Sequence, residues 1–303
     1  MEIRIDKKTA GLSIKEYFVT LHLSSRLITK LKNRARGITV NGEKKTVRYL
    51  LHEGDLLKLE IEDQASSKTI KPSFAPLNVL FEDEHYIAVE KEPFLPIHPS
   101  RNHVDDTLAS RVMAYFEGQN FVFRVLTRLD RDTSGAVIIA KNPIAAAEFS
   151  RLLTKREVKK EYLAICEGIF DEKRGEIDFN IRRPSPFNIM REAIEKCEPQ
   201  GENTPFGTDA LSVYRVLKEN GGHSLVSFSP VTGRTHQLRV HALKFGHPII
   251  GDTLYNKESD LISRQALHAE RLTFIHPFTK KEVTVICPIP ADIKNATSRL
   301  GLN

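Results

Sequence analysis

The densest chemistry in the chain lies in a short charged stretch, Arg128-Leu129-Asp130-Arg131-Asp132-Thr133-Ser134-Gly135. Two apolar, β-branched runs bound it, Phe123–Leu126 before and Ala136–Ala140 after, and such runs read as strands. Thr133-Ser134-Gly135 reads as a tight turn in which glycine supplies a positive φ. A charged loop clamped between core strands holds a carboxylate rigidly, as a nucleophile or a base requires. On residue types alone, a surface hairpin with incidental charges fits the stretch equally.

Two further clusters carry polar chemistry. Thr232-Gly233-Arg234-Thr235-His236-Gln237-Leu238-Arg239-Val240-His241 follows the strand-like Ser224–Ser229. Thr232-Gly233 makes a turn and the remainder starts a helix. Its histidines suggest a metal, but no Cys or acidic ligand accompanies them at a familiar spacing and the arginines repel a cation. Anion binding suits this set better. The other cluster, Lys159-Lys160-Glu161-Tyr162, lies on the predicted strand Val158–Cys166. Its lysines suit phosphate, and Tyr162 taken alone reads as a half-buried core tyrosine.

The elements that must position these groups emerge from periodicity. Asn142–Lys155 reads as a helix with Ala145, Ala146, Phe149, Leu152 and Leu153 on its inner face, and Thr107–Phe116 as a shorter one capped by Asp106 or Thr107. Leu77–Val89 reads as two strands around an acidic turn, and residues 171–205 as a hairpin plus loops. Ala210–Leu217 and Val283–Cys287 supply further strands. Asp63–Pro76, polar and broken by Pro72 and Pro76, reads as a linker. Residues 1–62 form a separate unit: two short helices broken near Leu23-Ser24-Ser25, with Ser24 or Ser25 capping the second, then short strands around Asn41-Gly42 and Glu53-Gly54-Asp55. Arg26, Lys30, Lys32, Arg34 and Arg36 crowd the second helix and its exit, and such a cluster attracts phosphate without reading bases.

Composition bounds the rest. With 303 residues, 40% apolar and 28% charged, the chain is an ordinary globular protein of one to three domains. A net charge of +6 favours a polyanionic partner weakly. Cys166, Cys197 and Cys287 are odd in number and form no CxxC, so they read as reduced thiols, not as a disulfide frame or a metal site. No long apolar segment and no secretion core is present, and a cytoplasmic protein is expected.

Arg128-Leu129-Asp130 followed by Thr133-Ser134-Gly135 resembles the signature of the RluA-type pseudouridine synthases. So do Lys160-x-Tyr162-x-Ala164, the Thr232–His241 block with Gly246-His247-Pro248-Ile249-Ile250-Gly251-Asp252 and an aromatic, and Lys91, Pro93 and His98-Pro99. The chain departs from the pattern at Thr127, where the family usually has His, and at Glu90 and Glu92. The resemblance spans about residues 77–290. It implies that Asp130 is the catalytic residue, with Arg234 as its guanidinium partner and Tyr162 against the target base as a candidate acid/base. It further implies substrate contacts at Arg128, Leu129, Lys160, Leu238, His236 and Arg239. His98 reads as structural or RNA-adjacent. The order of helices and turns in residues 11–61 resembles the alpha-L, or S4-like, RNA-binding domain.

The expected organisation is α+β. An S4-like domain spans 1–62, a linker 63–76, and the catalytic domain 77–303, built on a long, mixed, mostly antiparallel curved sheet with a central RNA cleft. The implied reaction turns uridine in structured RNA into pseudouridine, with neither cofactor nor metal, by a monomer. Ribosomal RNA of the large subunit is the first expectation and transfer RNA the alternative. Asp130 either attacks C1′ or stabilises a cationic sugar and removes the 2′ proton. A hydrolytic N-glycosylase would use the same carboxylate but release uracil, and a non-catalytic RNA-binding or ribosome-assembly protein would not require it.

Overall fold

The computed structural model describes residues 1–21, 23, 25–61, 67, 69–100, 102–185, 187–196 and 207–303. Cys197 and the capping position Ser24 lie outside them, as does the side chain of Arg26.

The first unit comprises β1 (Glu2–Arg4), α1 (Ile14–Thr20), α2 (Ser25–Asn33), β2 (Ile38–Val40), β3 (Glu43–Lys44) and β4 (Leu56–Leu59), with the strands ordered β1-β4-β2-β3. Local chemistry accounts for its joints. Ser13 and Glu16 form a reciprocal capping box at the start of α1. Asn41 and Gly42 both take positive φ, the two-residue hairpin geometry that matches strand twist. The carboxylate of Asp55 accepts from Asn41 and from the His52 amide, locking one turn to the next. Phe18, Leu31, Ile38, Leu57 and Leu59 form the core, and Ile144 and Phe278 from the second unit belong to the same cluster.

The second unit runs β5 (Val79–Glu82), β6 (Tyr86–Lys91), α3 (Leu108–Tyr115), β7 (Ser134–Ala140), α4 (Pro143–Thr154), β8 (Lys159–Glu167), β9 (Arg174–Arg182) and β10 (Glu192–Ile194). It continues with β11 (Thr208–Asn220), β12 (His223–Pro230), α5 (Gln237–Lys244), β13 (Leu267–Ile275), β14 (Glu282–Ile286) and α6 (Ala291–Arg299). The strands form one sheet ordered β10-β9-β11-β12-β8-β13-β7-β6-β5, with β14 beside β13. Every pairing is antiparallel except β13 with β7. The chain is therefore a mixed, sheet-dominated α/β protein. Among the described residues no helix is long and apolar enough to cross a membrane.

β7 is buried at all seven positions because it is covered on both faces. Successive side chains alternate across a strand. Val137 and Ile139 pack towards Val112 of α3 and Phe116 just beyond its end, while Ile138 and Ala140 pack towards Phe149 and Leu152 of α4. Thr107 and Asn142 cap those helices by accepting amide hydrogen bonds. The described part of the predicted linker does not run free. Ser67 and Ser73 donate backbone hydrogen bonds to the carbonyls of Phe121 and Ser110, laying the segment against the α3 region.

Candidate active site

The segment carrying Asp130 is fastened to β7 before it turns. The amide of Ala140 donates to the carbonyl of Arg124 at 2.9 Å, and that of Leu126 to Ile138 at 2.8 Å. The Ile138 amide donates in return to the Thr127 hydroxyl at 3.1 Å, so this buried departure from the family pattern ties the loop to the central strand. A turn from Asp130 to Thr133, closed by the Thr133 amide at 3.2 Å, then leads into β7.

Two buried cations hold the outer arm of that turn by its backbone. Lys91, at the end of β6, donates to the carbonyls of Arg131 (2.6 Å), Glu92 (2.8 Å) and Leu95 (2.9 Å). Burial pulls its ammonium down to about 7. Arg264 donates to the Asp132 carbonyl and the Ser134 hydroxyl, both at 3.1 Å, and Asp292 balances its charge at 2.7 Å. Ser134 also meets His268 Nδ1 at 2.9 Å. With so many partners, the loop cannot shift Asp130 without breaking several buried hydrogen bonds.

The side chain of Asp130 meets α5. Arg239 Nη1 donates to Asp130 Oδ2 at 3.0 Å. The same guanidinium grips Asp252 through Nε and Nη2, both at 2.7 Å, and lies 5.0 Å from the centre of the Tyr255 ring. Burial opposes the charge of Arg239, but Asp252 and Asp130 outweigh it and raise its pKa further. Asp130 Oδ1 takes no hydrogen bond from the described residues. His236, which turns into α5 through the left-handed region (φ 56°), points Nε2 at Asp130 Oδ2 from 4.0 Å and places Nδ1 2.8 Å from the Tyr255 hydroxyl. Gln237 secures this corner. Its oxygen accepts from the Thr232 hydroxyl and the Arg234 amide, and its nitrogen donates to Leu211 and Ser212.

Tyr162 stands half-buried on β8, opposite Ala269 of β13, against the core cluster that contains Leu238. Burial, and then the charge of Asp130, push its phenol well above the usual tyrosine range. Thr127, Lys160, Tyr162 and Ala269 line a small cavity beside it. Lys160 is half-buried, its pKa lowered by burial, and its ammonium forms no hydrogen bond with the described residues. Arg128 is exposed and adds its charge to the burial that lowers His98, while Leu129 packs on the α3 cluster. A larger surface groove, about 630 Å³, runs along Ser259–Ser263 and α6 and contains none of these groups.

The profile of a family described as RNA pseudouridylate synthase matches residues 85–244, which include Asp130, Tyr162 and Arg239. YjbO, an uncharacterized RNA pseudouridine synthase of Bacillus subtilis (strain 168), is 36% identical over 93% of this chain and 97% of its own length. The chain belongs to the RNA pseudouridylate synthase family. The ribosomal large subunit pseudouridine synthase D of Nitrosomonas europaea is 30% identical to this synthase over 97% of the chain and 86% of its own. The solved structure of human RNA pseudouridylate synthase domain containing 1 superposes with a TM-score of 0.59 at 30% identity, over 71% of this chain and 84% of that one.

Within this synthase the structure corrects three expected placements. Arg234 is not the partner of Asp130. Its Nε donates to the Asp209 carbonyl at 2.9 Å, and Arg239, on the far side of the left-handed turn at His236, takes the carboxylate instead. Leu238 is 5% exposed, in the core beneath Tyr162, so it supports the site without lining an open face. Arg34 is 7% exposed and donates to the Glu60 carbonyl, so it does not share the exposed face of Lys30, Lys32 and Arg36. Lys91, Asp252 and Tyr255 stand in the motif blocks, but only the folded arrangement gives them roles. Their sequence signals are Lys91 before Pro93 and the run Pro248-Ile249-Ile250-Gly251-Asp252 that leads to Tyr255.

Proposed function

We propose that this synthase isomerises specific uridines in structured RNA, with large-subunit ribosomal RNA as substrate, and that Asp130 carries the reaction without a cofactor. The observation that supports this best is the state of the Asp130 carboxylate. One oxygen is bound by Arg239, the other takes no hydrogen bond from the described residues, and the backbone beneath is fixed by two buried cations. A rigid carboxylate with one open oxygen suits work at a ribose. The ribosomal reading draws on relatives named ribosomal large subunit pseudouridine synthase D, 30–32% identical over most of the chain.

The reaction breaks the N1–C1′ bond, turns the uracil and forms C5–C1′. C5 loses a proton and N1 gains one, so composition is unchanged. Asp130 acts at C1′ directly, or at the 2′ proton of a cationic sugar. Arg239 orients it for either route. Tyr162 stacks on the uracil, and because its phenol keeps its proton at neutral pH it is better suited to donating a hydrogen bond than to removing the C5 proton. The target nucleotide must leave its helix, at a cost of a few kcal/mol. Lys160 and the exposed Arg128 meet phosphate meanwhile. Residues 1–62 act as an S4-like RNA-holding module through Lys30, Lys32 and Arg36.

The test is the variant Asp130→Asn with ribosomal RNA carrying tritium at C5 of uridine. Wild type is expected to release tritium to water and D130N none, with RNA affinity changed less than about twofold. Loss of binding in step with turnover would remove Asp130 from the chemistry. Pseudouridine maps of ribosomal RNA from cells with and without the gene give the substrate, and unchanged maps would reject it.

A further inference from the structure

We infer that Tyr255 is a positioning residue for this reaction: its hydroxyl fixes the tautomer of His236, so that an N–H and not a lone pair faces Asp130. The inference rests on the role proposed above for Asp130. Tyr255 is 7% exposed. Its oxygen accepts the backbone N–H of Arg191 at 2.7 Å and lies 2.8 Å from His236 Nδ1. A hydroxyl has one proton to give, and among the described residues His236 Nδ1 is the acceptor in reach. If Nδ1 carried a proton instead, the phenolic hydrogen would be buried without a partner. Nδ1 is therefore the lone-pair nitrogen, and Nε2 carries the hydrogen.

That choice sets the sign of the contact with Asp130. Nε2 stands 4.0 Å from Oδ2, too far for a hydrogen bond, and a small ring movement or a bridging ribose hydroxyl closes the gap. In the other tautomer, two lone pairs would oppose each other there. The groups facing the imidazole favour its neutral form on balance. Burial, Arg239 and Arg191 disfavour a charge, against Asp130 and Asp252. The Tyr255 ring also lies against the Arg239 guanidinium, so one side chain touches both partners of the carboxylate. Through the Arg191 amide, the same oxygen ties this corner to the segment holding Phe187, which is 97% exposed, and Ile189.

The experiment is a cycle of Tyr255→Phe, His236→Gln and the double variant, read as single-turnover rate at saturating RNA and as RNA affinity. The Gln amide donates near the Nε2 position whatever Tyr255 does. Y255F is expected to slow the rate about tenfold with affinity within about twofold, and to slow H236Q by less than about twofold further. An equal loss in both backgrounds, a loss confined to affinity, or no loss would overturn the inference. Independently of folding in the variants, ¹⁵N spectra of the wild type labelled at histidine, with His236 assigned through H236Q, are expected to show neutral His236 protonated at Nε2. A proton on Nδ1 at pH 7 would overturn it as well. Tritium release by the wild type, measured first on the same RNA, tests the proposed function separately.

Discussion

The Lys91 ammonium donates to the carbonyl oxygen of Arg131 at 2.6 Å, one residue beyond Asp130. Three carbonyls use three N–H donors, so the full set of bonds requires the charged amine, while burial pulls its pKa down to about 7. An unfolded lysine titrates near 10.5. Between about 7 and 10.5 the unfolded chain holds a proton that the folded chain has lost, so stability attributable to this group rises with pH across that window. The loop meanwhile loses its third donor. We expect wild-type turnover to fall above about pH 7, while urea unfolding shows stability rising towards pH 10 relative to Lys91→Met. Parallel pH profiles for wild type and K91M would contradict this.

Arg239 and Arg234 make separable contributions. Arg239→Ala leaves Asp252, 1% exposed, as an unpaired buried charge, which costs about 3–5 kcal/mol, and releases Asp130 as well. Arg239→Lys keeps a charge but loses the two-pronged grip, and single-turnover rate should drop at least about tenfold. Arg234→Ala removes a hydrogen bond to a backbone carbonyl and should change that rate by less than about threefold. The reverse ranking would restore Arg234 as the partner.

Gly135 has φ 129°, and a Cβ there would meet the backbone of Ala269 and, at 2.6 Å, its Cβ. The glycine that ends the charged motif is thus the point where β7 and β13 close in parallel register. Gly135→Ala should destabilise the protein by on the order of 3 kcal/mol, seen as a lower urea midpoint, and should reduce turnover because Asp130 hangs from the same strand.

Charge reversal at Lys30, Lys32 and Arg36 tests the first unit without deleting it, since deletion would bare Ile144 and Phe278. Affinity for RNA should fall at least about tenfold, and its dependence on salt should flatten by about one in slope for each phosphate the variant no longer neutralises. The rate at saturating RNA should hold. Unchanged affinity would remove RNA binding from this face.

Sequence locates the central loop because a charged turn between two apolar runs is a local pattern, and the same holds for the cap at Thr107. The partner of Asp130 is not local. Arg234 and Arg239 come after one turn, and which of them reaches the carboxylate depends on His236 turning left-handed, an outcome no spacing encodes. Lys91 lies 40 residues from the carbonyl it holds, so its role emerges only when β6 and β7 pair. Helix α6 has no side-chain cap and a largely polar sequence, which leaves little for periodicity to find. Arg34 sits in the same basic run as its exposed neighbours, and only the backbone after α2 turns it inward.

The two units meet through Ile144, at the start of α4, which is buried in the core of the first unit, and Phe278, which packs half-buried against it. An RNA element seated on residues 1–61 would bear on a unit that touches the start of α4, which in turn packs on the central sheet. Where that contact holds the two units together, the span from that element to the reacting ribose would act as a gauge, like the opening of a caliper. Uridines would be chosen by how far they stand from a distant structural landmark as well as by the bases around them.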